Sequence, residues 1–387
     1  MTRSRLFSLC FAAALLCALL TPTFSYADVA AMGVPDVTEA QAWCIEDSTG
    51  RVLAESNADK AYAPASITKV MCAMVALDAG LPMDTPVTMP ALPEEGWEAA
   101  QVAGYAEGET ASLKDMLEVL LVYSANDAAY AIAEKVGGSQ EGFAELMNEK
   151  ASKIGMTRTT FKNPHGLEED GHESCARDLV LMGRYALSHY PFIAAMVRTY
   201  EVTVPVAGQE RTFYSTDELM PVYKPLIGIK TGNVEAGTTF LGAARKDGTT
   251  LYSCVLGCAT KWGRFEDTRT MMEWAFNGAT RVELAQADKV LEELPFAFRF
   301  GYALAVRPQA DVTGLLWPDG TQCSYTRVAV SPGQLVLPGE PGGACLWRQG
   351  GRIVGACAYV VDREVKAAPA WSSNPAAPPF FSQRKAA

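Results

Sequence analysis

The segment from Val70 to Ala79 constrains the fold of this chain more than any other stretch, because it is almost wholly apolar. A helix that is apolar on every side has to be surrounded by protein. The run is too short to cross a bilayer, which needs about 20 apolar residues. It therefore predicts a central helix that other helices and strands bury.

The segments around this helix predict an α+β fold. Apolar periodicity and capping residues predict four more helices, which begin or end at Ser112, Gly137, Ser139 and Arg264. Two strand-like runs, 238–245 and 249–257, flank a Lys-Asp-Gly turn and predict a hairpin. We expect an antiparallel sheet flanked by helices, together with a helical subdomain. Beyond Thr280 short apolar runs alternate with turn residues, which predicts a small all-β C-terminal domain.

The two ends of the chain differ from this pattern. Arg3 and Arg5, an apolar run over 6–20 and the small residues around Ala27 predict a signal peptide over 1–27. The main domain is then expected at 28–279, and a small β-sandwich-like domain at 283–366. Residues 367–387 are rich in proline and predict a disordered tail. We therefore expect an extracytoplasmic protein, released into the cell-wall space or held at the outer face of the membrane.

Charge and composition exclude two classes of partner or ligand. The formal net charge is −11, and the signal peptide carries two arginines but no acidic residue, so nucleic acid is not an expected partner. Eight of the ten cysteines lie beyond the signal peptide. Export permits disulfides, but a chain of this size does not need them, and we favour buried thiols. With three histidines and no ligand spacing, no metal site is expected.

Ser66 and Lys69 stand at the start of the apolar helix and form a Ser-x-x-Lys pattern. A separation of three residues sets the hydroxyl and the amine on one helix face. A serine becomes a strong nucleophile when a base takes its proton, and burial lowers the pKa of a lysine enough for it to be that base. The pattern alone is weak, since Ser382 and Lys385 repeat it in the tail.

Two further patterns supply groups that such a reaction needs. Ser124 and Asn126, in a Ser-x-Asn pattern between helices, offer a hydroxyl for proton relay and an amide for a substrate peptide group. Lys230, Thr231 and Gly232 follow an apolar strand-like run and could receive a free carboxylate. Each pattern alone is more often a solvated turn. Their combination, in this order and these settings, favours acyl transfer.

The sequence resembles the low-molecular-weight penicillin-binding proteins that act as D-alanyl-D-alanine carboxypeptidases. Residues 36–279 resemble the family strongly and 283–366 loosely. The resemblance rests on the segments Ala63–Lys69, Ser124–Ala129, Phe161–Leu167, His172–Asp178 and Arg264–Asp267. It implies a β-lactamase/transpeptidase-like fold and a substrate that is the pentapeptide of peptidoglycan, with β-lactam antibiotics as inhibitors.

The resemblance also implies a role for each candidate residue. Ser66 would be the acylated nucleophile and Lys69 its base, with Ser124 and Asn126 guiding protons and substrate. The terminal carboxylate would bind Lys230 and Thr231, beside Gly232. The oxyanion hole would use the backbone N–H groups of Ser66 and Asn233. No metal or organic cofactor is implied.

Several positions depart from the family pattern. After the Lys-Thr-Gly pattern the family usually carries an aromatic residue or histidine and then a threonine. Here the stretch from Asn233 to Gly237 lacks the threonine and is one residue shorter, which leaves the rim of the site open to question. Cys175 replaces a threonine and is interpreted as a packing variant, with a reactive thiol as the alternative. His165 and His172 are interpreted as structural, since Lys69 removes the need for a histidine base.

The family's C-terminal membrane helix is not expected here, because four prolines interrupt 367–387, leaving at most weak peripheral membrane contact. The oligomeric state is not predicted. Three alternatives remain open: a serine β-lactamase, a transpeptidase or endopeptidase, and a wall-binding protein without turnover. Against the first, the Glu-x-x-Leu-Asn pattern of class A enzymes does not occur between Ser124 and Lys230.

Overall fold

The structure is a computed structural model that describes residues 24–26, 33–93, 97, 100–235, 237–295, 302–317, 323–329, 338–339, 341–350 and 352–366. The predicted signal peptide, apart from Phe24–Tyr26, and the predicted tail over 367–387 lie outside this range. The chain divides into two compact units. One comprises Gly33–Asn277, and the other comprises the described residues before Gly33 and after Asn277.

The described residues form seven α-helices and seventeen strands. The helices are α1 Thr68–Asp78, α2 Leu113–Val122, α3 Asn126–Gly137, α4 Gln140–Ile154, α5 Ala176–His189, α6 Pro191–Met196 and α7 Gly263–Gly278. The strands before Gly278 are β1 Phe24–Tyr26, β2 Ala42–Asp47, β3 Val52–Ser56, β4 Pro86–Thr88, β5 Thr110–Ser112, β6 Glu201–Val206, β7 Gln209–Tyr214, β8 Leu226–Val234, β9 Gly237–Lys246 and β10 Thr249–Cys258. Those after it are β11 Thr280–Ala285, β12 Glu292–Pro295, β13 Tyr302–Pro308, β14 Val312–Leu316, β15 Cys323–Ala329, β16 Pro341–Gln349 and β17 Arg352–Lys366.

The predicted central helix is confirmed as α1. All of its residues from Thr68 to Ala76 are buried, and α2 to α6 pack around it. Burial on every side explains why the sequence lacks an amphipathic pattern here, since the helix has no solvent face. A single turn of 3-10 helix, Ala65–Ile67, precedes α1 and carries Ser66.

The capping residues set the bounds of the neighbouring helices as predicted. The Ser112 hydroxyl accepts a hydrogen bond from the Asp115 N–H at 3.1 Å, and Ser139 begins α4 in the same way. Gly138 and Gly155 end α3 and α4 in the left-handed conformation that glycine adopts readily. Asn126, which the sequence pattern places between helices, is instead the first residue of α3.

A five-stranded antiparallel sheet, in the order β3-β2-β10-β9-β8, forms the second half of this unit. The predicted hairpin is confirmed, with Lys246 opposite Thr249 at the turn between β9 and β10. Helix α5 packs on the sheet, and the predicted helix after the hairpin is α7. Strand β8 lies at one edge of the sheet, and it contacts the 3-10 turn that carries Ser66.

The described part of the second unit contains strands but no helix. Six strands form one antiparallel sheet, in the order β1-β15-β16-β17-β13-β12, and β11 pairs with β14. Leu284 and Leu316 from the pair share a buried cluster with Trp347 and Tyr359 from the larger sheet. Together, the two units have the expected α+β composition with a strand-rich C-terminal region.

The eight cysteines beyond residue 27 are all free thiols. Seven are buried and Cys357 is half-buried. Burial raises the pKa of Cys175 to about 11, which keeps its thiol protonated near neutral pH and supports the packing interpretation. None of the described helices is long and apolar enough to span a membrane.

Candidate active site

Ser66 lies at the mouth of a buried site, where the 3-10 turn meets α1. Its side chain is partly exposed, whereas Ala65 and Ile67 on either side are buried. Ala65 adopts a left-handed conformation with φ of 51°, which is strained for a residue with a Cβ. One helical turn further on, Lys69 Nζ lies 2.9 Å from Ser66 Oγ. The predicted pairing of hydroxyl and amine is therefore present in the structure.

Lys69 is fully buried and has two further acceptors. Its Nζ donates to Asn126 Oδ1 and to the backbone carbonyl of His165, each at 2.6 Å. Burial is the main cause that holds the pKa of Lys69 well below its usual value, and the nearby charge of Lys230 lowers it further. A neutral amine has two N–H groups and one lone pair. With both N–H groups engaged, the lone pair is left to face the Ser66 hydroxyl.

The carbonyl that Lys69 uses is placed by a loop over residues 163–167. Asn163 Oδ1 accepts a hydrogen bond from Gly166 N at 2.7 Å and closes the loop. Gly166 has a φ of 85°, and a Cβ added there would lie 2.0 Å from the Ala65 carbonyl oxygen. Only glycine fits between this loop and the turn that carries Ser66.

Ser124 and Asn126 come from the connection between α2 and α3. Ser124 has a φ of 72°, an uncommon conformation for a residue other than glycine. Asn126 is buried and begins α3 with its amide oxygen on Lys69. The next residue, Asp127, accepts backbone N–H groups from Ala103 and Gly104 at 2.9 and 2.8 Å. This carboxylate ties the loop before β5 to the start of α3.

Strand β8 brings the third predicted group to the site. A Cβ added at Gly232 would lie 2.7 Å from Ala65 Cβ and 3.2 Å from Ser66 N, so the strand lies directly against the turn that carries the serine. Thr231 Oγ1 lies 2.5 Å from Thr216 Oγ1. Lys230 and Thr231 are both buried. Burial and the charge of Arg264 lower the pKa of Lys230 to about 7, against the opposite effect of Asp217.

The shortened segment after Gly232 is held by three hydrogen bonds. Arg264 Nη1 donates to the Gly232 carbonyl and to Asn233 Oδ1, both at 2.9 Å. The Glu235 N–H donates to Glu168 Oε1 at 2.8 Å. Asn233 thus lies in β8 with its side chain fixed. At the turn to β9, Val234 pairs with Gly237.

The two histidines near the site have structural contacts. His172 Nδ1 accepts the Lys162 N–H at 3.0 Å, so its Nε2 carries the proton and donates to Thr68 Oγ1 at 2.9 Å. Burial lowers the pKa of His172 to about 4. The ring therefore joins the start of α1 to the backbone at Lys162, in agreement with a structural role. His165 contributes its carbonyl group, which the sequence interpretation did not assign.

Two other residues of the site were missed. The Trp97 ring packs edge-on against His165, with ring centroids 5.2 Å apart. Arg264 belongs to a segment that resembles the family, but its role was not assigned. One sequence signal could have identified Arg264. A cation in the first turn of a helix is disfavoured by the helix dipole, so an arginine at this position indicates a specific contact that offsets the cost. Among the described residues, no cluster of side chains could hold a metal ion.

Comparison with known proteins identifies the family of this chain. Residues 28–260 match the family model described as D-alanyl-D-alanine carboxypeptidase. The chain is 32% identical to D-alanyl-D-alanine carboxypeptidase DacC of Escherichia coli over 67% of its own length and 66% of that protein. It is 34% identical to DacF of Bacillus subtilis over 60% of its length and 61% of that protein. The chain thus spans slightly less than two thirds of these relatives.

Solved structures give the same result. Penicillin-binding protein D2 of Listeria monocytogenes, in its cefotaxime-bound form, is 31% identical over 62% of this chain and 98% of that one, with a TM-score of 0.56. Penicillin-binding protein 5 of Haemophilus influenzae shares the fold over 86% of this chain and 99% of that one, with a TM-score of 0.64. The chain therefore shares the fold of these penicillin-binding proteins and carries a paired serine and lysine. The chain belongs to the D-alanyl-D-alanine carboxypeptidase family.

Proposed function

We propose that this chain is a serine-type D-Ala-D-Ala carboxypeptidase that removes the terminal D-alanine from peptidoglycan pentapeptides. The observation that carries the proposal is the 2.9 Å approach of Lys69 Nζ to Ser66 Oγ, with two acceptors holding the other protons of the amine. Family membership supports the same activity. Penicillins would acylate the same serine, because a β-lactam ring offers a reactive carbonyl in place of the scissile peptide.

In the acylation step, the Ser66 hydroxyl gives its proton to neutral Lys69 while its oxygen attacks the carbonyl carbon of the penultimate D-alanine. The carbonyl oxygen becomes an oxyanion, which the N–H groups of Ser66 and Asn233 stabilise. As the peptide bond breaks, the leaving amine of the terminal D-alanine takes a proton from Lys69 by way of the Ser124 hydroxyl. The products are free D-alanine and an ester on Ser66.

In the deacylation step, water attacks the ester and gives its proton to Lys69, which returns it to Ser66 as the bond breaks. The acceptors on Asn126 and His165 hold Lys69 throughout both steps. This arrangement requires no cofactor, since every proton transfer has a donor and an acceptor among these residues.

Specificity for a free terminal carboxylate would come from β8. Lys230 provides the positive charge and Thr231 a hydroxyl, and Gly232 permits the substrate to approach the strand. Thr216 holds the Thr231 hydroxyl in place through their 2.5 Å contact. A substrate without this carboxylate would therefore bind more weakly.

Mass spectrometry after exposure to a fluorescent penicillin tests the proposal, together with D-alanine release from a pentapeptide that ends in D-Ala-D-Ala. We expect an adduct on Ser66, release of D-alanine, and loss of both in Ser66→Ala. Ser152→Ala, at an exposed serine on α4, is the matched control and should behave as the wild type. Rapid drug hydrolysis without peptide cleavage would indicate a β-lactamase. An unreactive protein would indicate a wall-binding role.

The cellular setting is part of the proposal. The amino-terminal sequence pattern and a peptidoglycan substrate both support action outside the cytoplasmic membrane, in the cell-wall space. We propose residues 1–27 as the export signal, 28–279 as the catalytic domain and 283–366 as a separate β-domain. Amino-terminal sequencing of the exported protein tests the export signal. We expect a mature chain that begins near Asp28, and a chain that keeps Met1 would contradict the proposal.

A further inference from the structure

Arg264 occupies a position that is costly for a cation. Its side chain is 3% exposed and lies in the first turn of α7, where the helix dipole disfavours positive charge. Among the described residues it forms no ion pair, and both groups that accept hydrogen bonds from it are neutral. Burial lowers the pKa of Arg264 from its usual value. The charges of Glu218 and Asp217 act against this shift without forming an ion pair with Arg264. A buried cation that forms no ion pair is rare in stable proteins unless it has a function.

The two acceptors of Arg264 identify what the residue holds. One is the carbonyl oxygen of Gly232, and the other is the side-chain oxygen of Asn233. The Gly232 carbonyl and the Asn233 N–H are opposite ends of one planar peptide group. A bond that fixes the carbonyl therefore fixes the direction of the N–H. A positive charge on the carbonyl also polarises the peptide group, which makes its N–H a better hydrogen-bond donor.

Asn233 gives Arg264 a second acceptor beside this peptide group. Its side-chain oxygen accepts from the same Nη1 atom that donates to the Gly232 carbonyl, so two hydrogen bonds hold the guanidinium next to the peptide group. Asn233 is one of the positions where the sequence departs from the family pattern. The departure has a physical consequence, since a purely hydrocarbon aromatic side chain there would offer no acceptor for this bond.

We infer that Arg264, secured by Asn233, is a positioning residue that aims the Asn233 N–H into the oxyanion hole. This inference rests on the proposed function, because the N–H is assigned to the oxyanion there. Arg264 touches neither the substrate nor Ser66 in this scheme. It acts through the peptide group, and its removal should slow the chemical step for any acyl donor.

A competing role for Arg264 would be direct binding of the substrate carboxylate, since its buried Nε has no partner among the described residues. The two roles predict different substrate dependence. A positioning residue slows acylation whether or not the leaving group carries a carboxylate. A carboxylate-binding residue slows only the reaction of the substrate that carries one.

A pair of thioesters separates these roles. Both carry the same acyl-D-alanyl group, and the leaving group is thioglycolate in one and the neutral thioglycolamide in the other. Single-turnover acylation is measured for the wild type, Arg264→Gln and Lys230→Gln, with dissociation constants from the concentration dependence. Arg269→Gln, at an exposed arginine on the same helix, is the matched control. Thermal unfolding establishes that each variant is folded.

We expect Arg264→Gln to slow acylation by roughly 10- to 100-fold with both thioesters, as for a misplaced catalytic group. The dissociation constants should change little. Lys230→Gln should slow the thioglycolate substrate much more than the neutral one, which it affects only because loss of the Lys230 charge raises the pKa of Lys69. Arg269→Gln should slow neither. If Arg264→Gln slows only the thioglycolate substrate, or neither, the inference is wrong while the proposed function stands. If the wild type reacts with neither thioester, the proposed function fails first and the inference with it.

Asn233→Ala tests whether Asn233 secures Arg264. It removes one hydrogen-bond acceptor at the rim of the site and leaves the core intact, so it keeps the inference testable if Arg264→Gln does not fold. It should slow both thioesters to a smaller extent. Since Asn233 is argued to act through Arg264, the double variant should be no slower than Arg264→Gln alone. Additive losses would overturn the coupling between the two residues.

Discussion

The site contains two lysines, and the proposed reaction requires one of them to be neutral and the other to be charged. Lys69 has to be neutral to take a proton from Ser66, and burial favours this by lowering its pKa. Lys230 has to be charged to bind a carboxylate, yet its pKa falls to about 7 in the free protein. A bound carboxylate restores the charge, because an anion in contact raises the pKa of a lysine.

These two pKa shifts predict the pH dependence of kcat/KM. Activity should rise as the pH increases through the pKa of Lys69, because the amine becomes a base. It should fall as the pH increases above about 7, because Lys230 loses its charge in the free enzyme. Rates with the thioglycolate and thioglycolamide substrates measure the two effects separately. The neutral substrate should keep the acid limb and lose the alkaline one, and an alkaline limb with both would contradict the assignment of Lys230.

For single residues of the site, the sequence predicts which side chains take part better than it predicts the hydrogen bonds that they form. Ser66, Lys69, Asn126 and Lys230 were identified from their patterns, since each needs a specific side chain. The His165 carbonyl could not be, because a backbone acceptor leaves no signature in the sequence. Arg264 was missed for a related reason: its partners are a backbone carbonyl and a side chain 31 positions away.

The loop over 163–167 and the turn that carries Ser66 function as one element. Their contact depends on Gly166, whose Cα faces the Ala65 carbonyl. The loop in turn presents the His165 carbonyl to Lys69. Any side chain at 166 would push the two segments apart and move an acceptor of the base.

Gly166→Ala should therefore reduce acylation strongly. The added Cβ would lie 2.0 Å from Ala65 O, and the φ of 85° adds strain. Gly80→Ala is the matched control, because Gly80 also has a positive φ, of 66°, but its Cβ would meet nothing within 4 Å. Both variants should lose some stability in thermal unfolding. Only Gly166→Ala should slow adduct formation with penicillin, and equal adduct rates would show that the contact does not matter.

Helices and turns that depend on hydrogen bonds between neighbouring residues were predicted well from the sequence. Elements that depend on contacts between distant segments were predicted less well. Capping serines predicted where α2 and α4 begin, because their hydrogen bonds are local. The 3-10 turn before α1 was not foreseen, since it depends on β8 and the 163–167 loop packing against it. The order of the five strands also follows from long-range pairing that periodicity does not encode.

The whole molecule divides into two units, each with its own core. One buried cluster draws its members from residues 42–256, and a separate one from residues 284–361. Every residue of the proposed site, from Ser66 to Arg264, lies in the unit of residues 33–277. A unit with a complete core and a complete site is expected to fold and react alone.

A fragment of residues 33–279, which keeps all of α7, tests this expectation. It should unfold in one cooperative transition and form the penicillin adduct on Ser66 at the rate of the full chain, because the residues that hold Lys69 and β8 are all retained. The full chain and the fragment carrying Ser66→Ala are the controls. A folded fragment with a slower rate would mean that residues beyond 279 support the site. A fragment that does not fold would show that the two cores depend on each other, and would contradict the proposed division at 279.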